Sequence, residues 1–164
     1  MNVIDYIADE VERQGHDLSV LDGIERTGWM LNAWAYALRC DLSEYYGTRG
    51  PRPVKAVRFI ESLGRYVEPE KNKSGFRLVN VWAGGRACPP PEYVPDLVTD
   101  FVARQKPKFA EPLDFYREFE FIHPFVDGNG RTGKILLKLN WVNGSLLNPI
   151  RPPDDFWGQP IRNP

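Results

Sequence analysis

The sequence predicts a mainly α-helical fold carrying one small β-hairpin. Apolar residues recur at three- and four-residue spacing through most of the 164 residues, the mark of amphipathic helices. One alternating run, Phe76-Arg-Leu-Val-Asn-Val-Trp82, leads into the turn Ala83-Gly-Gly85 and reads as a hairpin. A hydrophobic fraction of 42%, with five Trp, seven Tyr and nine Phe, is enough for a packed core and excludes a disordered chain.

Val3, Ile7 and Val11 set out a first helix, which Gly15 breaks. A second is expected from near Ser19 to about Leu42, with Leu21, Ile24, Trp29, Leu31, Trp34 and Leu38 as its apolar set and Gly23 and Gly28 weakening its first half. Gly47, Gly50, Pro51 and Pro53 make a turn-rich break. Val54, Val57, Ile60 and Leu63 mark a third helix, and the polar stretch Pro69 to Gly75 a loop. The alternating run then supplies one strand and Arg86 to Cys88 a short return strand, ended by Pro89-Pro-Pro91. A helix over Glu92 to Gln105 turns Val94, Leu97, Val98, Phe101 and Val102 inward. Pro112 suits the first turn of the next, which places Phe115, Phe119, Phe121 and Ile122 in the core. After a loop at 123–129 comes a helix from about Gly130 to Val142 with Ile135, Leu136 and Leu139, stopped by Gly144. Beyond Pro149 several prolines interrupt any periodicity, and the five Trp read as packing residues.

A net charge of −1 argues against a general polyanion binder and so against nucleic acid as partner. Two cysteines, Cys40 and Cys88, do not make a disulfide-stapled fold and fit a reducing compartment. The first residues have no basic region and no apolar stretch of signal length, and no run approaches a membrane span. A cytoplasmic protein with no membrane partner is the expectation, with delivery into a host cell by a route needing no classical signal as the alternative.

The chemistry is concentrated in His123-Pro-Phe-Val-Asp-Gly-Asn-Gly-Arg-Thr-Gly-Lys134. Gly128, Gly130 and Gly133 free the backbone to point amides at one anion, at the start of a helix whose first N–H groups lack intrahelical partners. Arg131 and Lys134, three apart, share a face of that first turn, where cations are disfavoured unless a polyphosphate accompanies them. Asn129 is the nearer helix-capping residue, which frees Asp127 to hold Mg²⁺ against phosphate oxygens. His123 is placed to take a proton from a hydroxyl. His16, between Gly15 and Asp17, reads as a surface residue. A base, a metal ligand and a phosphate cradle together indicate phosphoryl or nucleotidyl transfer.

Two generic motifs overlap the loop and fail on context. Gly128-x-Gly130-x-x-Gly133 matches the dinucleotide fingerprint, but the acidic residue at the right distance, Asp154, lies in a proline-rich tail with ten residues after it. Gly128-x-x-x-x-Gly133-Lys134 matches most of a P-loop, but Ile135 stands where Ser or Thr must bind Mg²⁺.

Residues 123–131 resemble the signature of Fic proteins, His-Pro-Phe-x-(Asp/Glu)-Gly-Asn-Gly-Arg-x-x-Arg. Ser74-Gly-Phe-Arg77, Val81 and Pro89-Pro-Pro-Glu-Tyr-Val94 are similar to that family's stretch around its flap, so that the likeness spans roughly residues 54–148. The resemblance implies a Fic-type helical bundle with a small β-hairpin flap: N-terminal helices (1–50) packed on a core (51–148) that holds the flap (about 76–88) and the signature loop (123–134), then a tail (149–164). It implies protein adenylyltransfer, AMP from ATP to a Ser, Thr or Tyr hydroxyl of a target protein. In that scheme His123 is the general base, and Asp127 binds Mg²⁺. Phe125 anchors the loop of the nucleotide site, Gly128, Asn129 and Gly130 cradle the anion, and Arg131 and Lys134 meet phosphates. Leu78, Val79, Asn80, Val81 and Trp82 of the flap pair with target backbone as an added strand.

Two departures bear on this. Lys134 replaces the family's second Arg and loses its bidentate fork. Many members also carry an inhibitory helix whose Ser/Thr-x-x-x-Glu motif sets a Glu on that second Arg. No Ser or Thr here has Glu four residues on, so inhibition of that kind is not expected and a separate antitoxin-like inhibitor becomes a candidate partner. The alternatives are a Doc-like protein kinase or other phosphoryl transferase, and a degenerate binding module. Asn129-Gly-Arg131 in place of the kinase branch's Asn-Lys-Arg favours AMP transfer.

Overall fold

The computed structural model describes residues 3–40, 53–104 and 112–141. Its helices are α1 (Val3–Arg13), α2 (Leu21–Arg39), α3 (Pro53–Val67), α4 (Val94–Arg104), α5 (Pro112–Ile122) and α6 (Asn129–Trp141). A 3₁₀ turn, Pro91–Tyr93, leads into α4, and the strands β1 (Trp82–Ala83) and β2 (Arg86–Ala87) pair antiparallel, Trp82 opposite Ala87. This is the mainly α bundle with a small hairpin that the sequence predicts.

Each helix is built on an apolar stripe, and the stripes meet in one core. Ile7 and Val11 of α1 and Met30, Ala33, Trp34 and Ala37 of α2 are buried, as are Phe59, Ile60, Leu63 and Val67 of α3. Val98, Phe101 and Val102 of α4, Phe115 and Phe119 of α5 and Ile135 and Leu136 of α6 complete it. Phe101 lies between Phe115 and Phe119, with ring centroids 4.8 and 6.1 Å away. Neighbouring helices pack in the order α1 on α2, α2 on α3 and α3 on α4. The α5–α6 pair closes the bundle with α6 also against α3.

The structure corrects several sequence expectations. In α2, Leu21, Ile24, Leu31 and Leu38 are exposed, and the inward face is Gly23, Met30, Ala33, Trp34 and Ala37. The helix is apolar on two faces, so periodicity alone could not select the inner one; small residues let α2 lie close to its neighbours. At Gly23 an added Cβ would come within 2.1 Å of the Asp17 carbonyl oxygen. Phe121 is exposed, not core. The run from Phe76 forms a ladder only at Trp82–Ala83, because the returning segment is two residues long; the legs before and after it are irregular backbone. The expected break at Gly47 to Pro51, the helix ends at Leu42, Gln105 and Val142, the Gly144 stop and the tail after Pro149 lie outside the described residues. Cys40 and Cys88 are free thiols, and among the described residues no helix is long and apolar enough to cross a membrane.

Phe125 joins the core to the loop after α5. Its fully buried ring packs over Gly64 of α3 and beside Phe76, 5.6 Å between centroids. A Cβ at Gly64 would sit 2.2 Å from Phe125 Cζ. Gly64→Ala is therefore expected to cost about 1–3 kcal/mol by overpacking, read as a lower midpoint in urea denaturation. Because the ring that must move belongs to the 123–129 loop, the substitution should also disturb that loop's amide resonances before those of α4.

Candidate active site

The site begins where α5 ends. His123 closes α5 through its N–H to the Phe119 carbonyl at 3.0 Å, then turns the chain with φ 48°, the one left-handed non-glycine residue among those described. Such a conformation usually falls to glycine after a helix, so a histidine here is strained and held by its surroundings. Pro124 and Phe125 drop into the core, and the Asn129 side chain closes the loop by accepting from Phe125 N–H at 2.9 Å and donating to Phe125 C=O at 3.0 Å. Asn129 thus staples the loop rather than capping α6, contrary to the sequence expectation. Gly128 turns with φ +75°, and a Cβ there would meet Val67 at 2.8 Å. Gly133 serves packing, not anion binding: it is buried inside α6, where a Cβ would press on Phe119 and Tyr116 at 2.9 Å.

A cleft of about 600 Å³ opens above this loop. His123, Asp127, Gly128, Asn129, Gly130, Arg131 and Lys134 line it, with Tyr116 and Glu120 from α5, Glu10 and Arg13 from α1, Gln14 just after α1, and Trp82 to Gly84 of the flap. Of the residues singled out in the sequence, Phe125 sits in the core beneath the cleft. Leu78, Val79, Asn80 and Val81 are on the outer part of the flap, and Trp82 alone of that set reaches the cleft wall.

His123 is partly buried, its side chain 18% exposed. Burial pushes its pKa below the ordinary value, aided by the Arg77 charge, while the Glu120 carbonyl and Asp127 pull the other way. The ring is therefore neutral at physiological pH. Its Nδ1 lies 3.2 Å from the Glu120 backbone carbonyl, which can only accept, so the proton resides on Nδ1 and the lone pair on Nε2.

Glu120 lies one turn earlier on the same helical face, its Oε2 3.6 Å from His123 Nδ1. Burial drives its carboxyl up to about 8, against the lowering field of Lys134, so it is neutral beside a neutral imidazole and forms no ion pair there at pH 7. Asp127 differs. Burial would raise it, but Lys71, the Gly128 N–H at 2.6 Å and Arg131 outweigh burial and hold the carboxyl below its usual range. An ionised, half-exposed carboxylate on the cleft wall suits Mg²⁺, which takes one or two carboxylates and completes its shell with water and substrate phosphates. Among the described residues no cluster of three or more His, Cys, Asp or Glu offers an all-protein cage.

Both cations of the loop are already engaged. Arg131 is 2% exposed; its Nη2 donates to Glu68 Oε2 at 2.7 Å and its Nη1 to the Val67 carbonyl at 3.3 Å. The same Glu68 oxygen accepts from Arg26 Nη1 of α2 at 2.7 Å. Lys134 Nζ donates to both Glu10 oxygens, at 2.7 and 2.9 Å, and Gln14 supports Glu10. The inhibitory sequence motif is absent, yet a glutamate from α1 occupies the cation at the family's second Arg position. Sequence reading missed Glu10 because it lies 124 residues from Lys134, and missed Glu68 and Lys71 for the same reason. Glu120 was passed over as well, although its place three residues before His123, one helical turn, was a signal that could have found it.

The Fic/DOC family model matches residues 51–140, more than half of the chain. This chain belongs to the Fic/DOC family. It is 41% identical, over 71 residues, to a probable protein adenylyltransferase of Aquifex aeolicus (strain VF5), a match covering 40% of this chain and 22% of that protein. The chain therefore spans about a fifth of that curated relative in the match. The matched family segment runs from α3 through the hairpin to α6, leaving α1, the source of Glu10, outside it.

Two outcomes follow from the charges. Glu120 has its folded pKa raised, so its neutral form contributes stability below about pH 4.5, and that contribution is lost as pH climbs to about 8. Wild-type stability should fall through this window with a slope of up to about 1.4 kcal/mol per pH unit from this group. Glu120→Gln should flatten that slope, matching wild type at pH 4 and exceeding it at pH 8 in urea titrations; a variant weaker at pH 8 would mean the carboxylate is wanted ionised. Glu10→Ala should free the Lys134 ammonium and tighten binding of added tripolyphosphate by roughly tenfold, ~1.4 kcal/mol, measured by calorimetry against Lys134→Ala, which should weaken it.

Proposed function

We propose that this Fic/DOC protein is a protein adenylyltransferase that moves AMP from ATP to a Ser, Thr or Tyr hydroxyl of a target protein. One observation carries the reading: a neutral imidazole with Nε2 unprotonated faces the same cleft as an ionised carboxylate, a helix N-terminus and Lys134. The name of the Aquifex aeolicus relative supports it.

The chemistry runs as follows. His123 Nε2 takes the proton of the target hydroxyl as its oxygen bonds to the α-phosphorus of ATP. The bond between the α-phosphorus and its bridging oxygen to the β-phosphate breaks, and pyrophosphate leaves with the electron pair. The Nδ1 hydrogen bond to the Glu120 carbonyl keeps the ring oriented and supports the imidazolium that forms. The first turn of α6, at Asn129 and Gly130, presents N–H groups and a positive dipole end to the phosphates. Lys134 meets them once Glu10 has been displaced. Asp127 would hold Mg²⁺, whose part is to neutralise charge on the phosphate chain. Arg131, sealed against Glu68, acts from beneath as a fixed positive charge and brace. The flap, Trp82 to Gly84 at the cleft wall, supplies the surface on which an extended target segment lies.

The experiment is incubation with Mg²⁺ and ATP labelled on the α-phosphate, alone and with cell lysate, using Glu10→Ala to relieve the Lys134 contact. Label on protein that falls by about 10²–10⁴-fold in His123→Ala is the expected result. No α-label but transfer of γ-label would make it a phosphate-transferring relative, and neither would make it a binding module.

A further inference from the structure

Among the described residues Arg77 and Arg131 are the two largest fully buried side chains, and Arg77 belongs to no ion pair there. Burial depresses its pKa, which measures the penalty of keeping a cation there. Its guanidinium is spent on backbone carbonyls of three segments. Nε donates to His123 C=O at 2.7 Å, and Nη1 to Val79 C=O at 3.0 Å. Nη2 donates to Pro89 C=O at 2.6 Å and to Ile122 C=O at 3.3 Å. Its own N–H donates to Pro124 C=O at 2.9 Å.

Those acceptors form a pattern. Val79 stands on the leg entering the hairpin and Pro89 on the leg leaving it, three residues before β1 and two after β2. Ile122 and His123 carry the last carbonyls of α5, which have no intrahelical partner. The hairpin itself is two paired residues per strand, with Leu78 79% and Trp82 66% exposed, too little to hold its own orientation over the cleft. His123 meanwhile sits in a left-handed conformation that nothing intrinsic to histidine favours. One planar group with five fixed donors meets both needs; a lysine, with a single nitrogen, could not reach the four carbonyls in their separate directions.

We propose that Arg77 is a positioning residue of the transfer reaction, tying both legs of the flap to the backbone of His123 so that a target segment laid on the flap is held in fixed register to the imidazole. The inference rests on the adenylyltransferase reading for its reaction, and on the described geometry alone for the tie itself.

The test uses the full chain in two arms. Arg77→Lys keeps the charge and loses the fork. With α-labelled ATP and a mixture of extended peptides carrying a central Ser, Thr or Tyr, kcat should fall on the order of a hundredfold while the Kd for ATP stays within a factor of two to three. In amide hydrogen exchange, residues 78–88 and 123–125 should gain exchange together, while α4 amides keep their protection. Transfer retained near the wild-type rate, or a loss that appears equally in ATP affinity, overturns the proposal, as does exchange rising in the flap alone. If Arg77→Lys does not fold, wild-type exchange decides: the two segments must share one opening rate. A wild type that transfers no label from ATP sinks the adenylyl reading and the role in transfer with it, while joint exchange of the two segments would still establish the tie.

Discussion

The structure around the cleft depends on one buried carboxylate. Glu68, fully buried at the end of α3, accepts from Arg26 of α2 and Arg131 of α6 on the same oxygen. Two cations and one anion gathered from three helices fix where those helices meet. Removing one partner from such a cluster is strongly destabilising, because it leaves an uncompensated charge in a medium that cannot solvate it. From that point the loop follows. Arg131 also reaches the Val67 carbonyl, Gly128 fits against Val67, and Asn129 and Phe125 lock the intervening turn to itself and to α3.

Above this layer the ionisable groups are poised rather than idle. Lys134 is held by Glu10, Asp127 by Lys71, and Glu120 is kept neutral by burial next to a neutral His123. In the proposed transfer an incoming polyphosphate would exchange partners with the first two, its oxygens competing with Glu10 and its counter-cation with Lys71. The proton-handling pair needs no exchange. In the proposed transfer, recognition would fall to groups now held in ion pairs, and proton transfer to a pair whose pKa values burial has shifted.

Much of the fold was legible because its helices are strongly amphipathic. The stripes of α1, α3, α4 and α5 name most of their inward residues, although Val54, in the first turn of α3, is exposed. Where they did not, the reason is physical. In α2 the apolar side chains Leu21, Ile24, Leu31 and Leu38 face outward, while Met30 and Trp34 pack inward beside Gly23, Ala33 and Ala37, whose small size lets the helix approach its neighbours; an apolar residue on either face satisfies the same periodicity. Phe121 repeats the error at one position, being one residue off the stripe that Phe119 and Ile122 define. At the site, the signature residues gather as their sequence adjacency requires, whereas Asn129 took the loop's backbone in place of the helix terminus because Phe125 offered both a donor and an acceptor.

By itself the sequence determined most element types, the amphipathic faces of most helices, and the loop at 123–134 around which the cleft is built, since those properties are set by neighbours along the chain. Only the tertiary structure decided the charge states and the partners. That Glu10 reaches Lys134, that Glu68 takes both arginines, and that Arg77 reaches His123 all join residues 42 to 124 positions apart. The lowered pKa of His123 and the raised one of Glu120 come from burial, which exists only once the helices have closed around them.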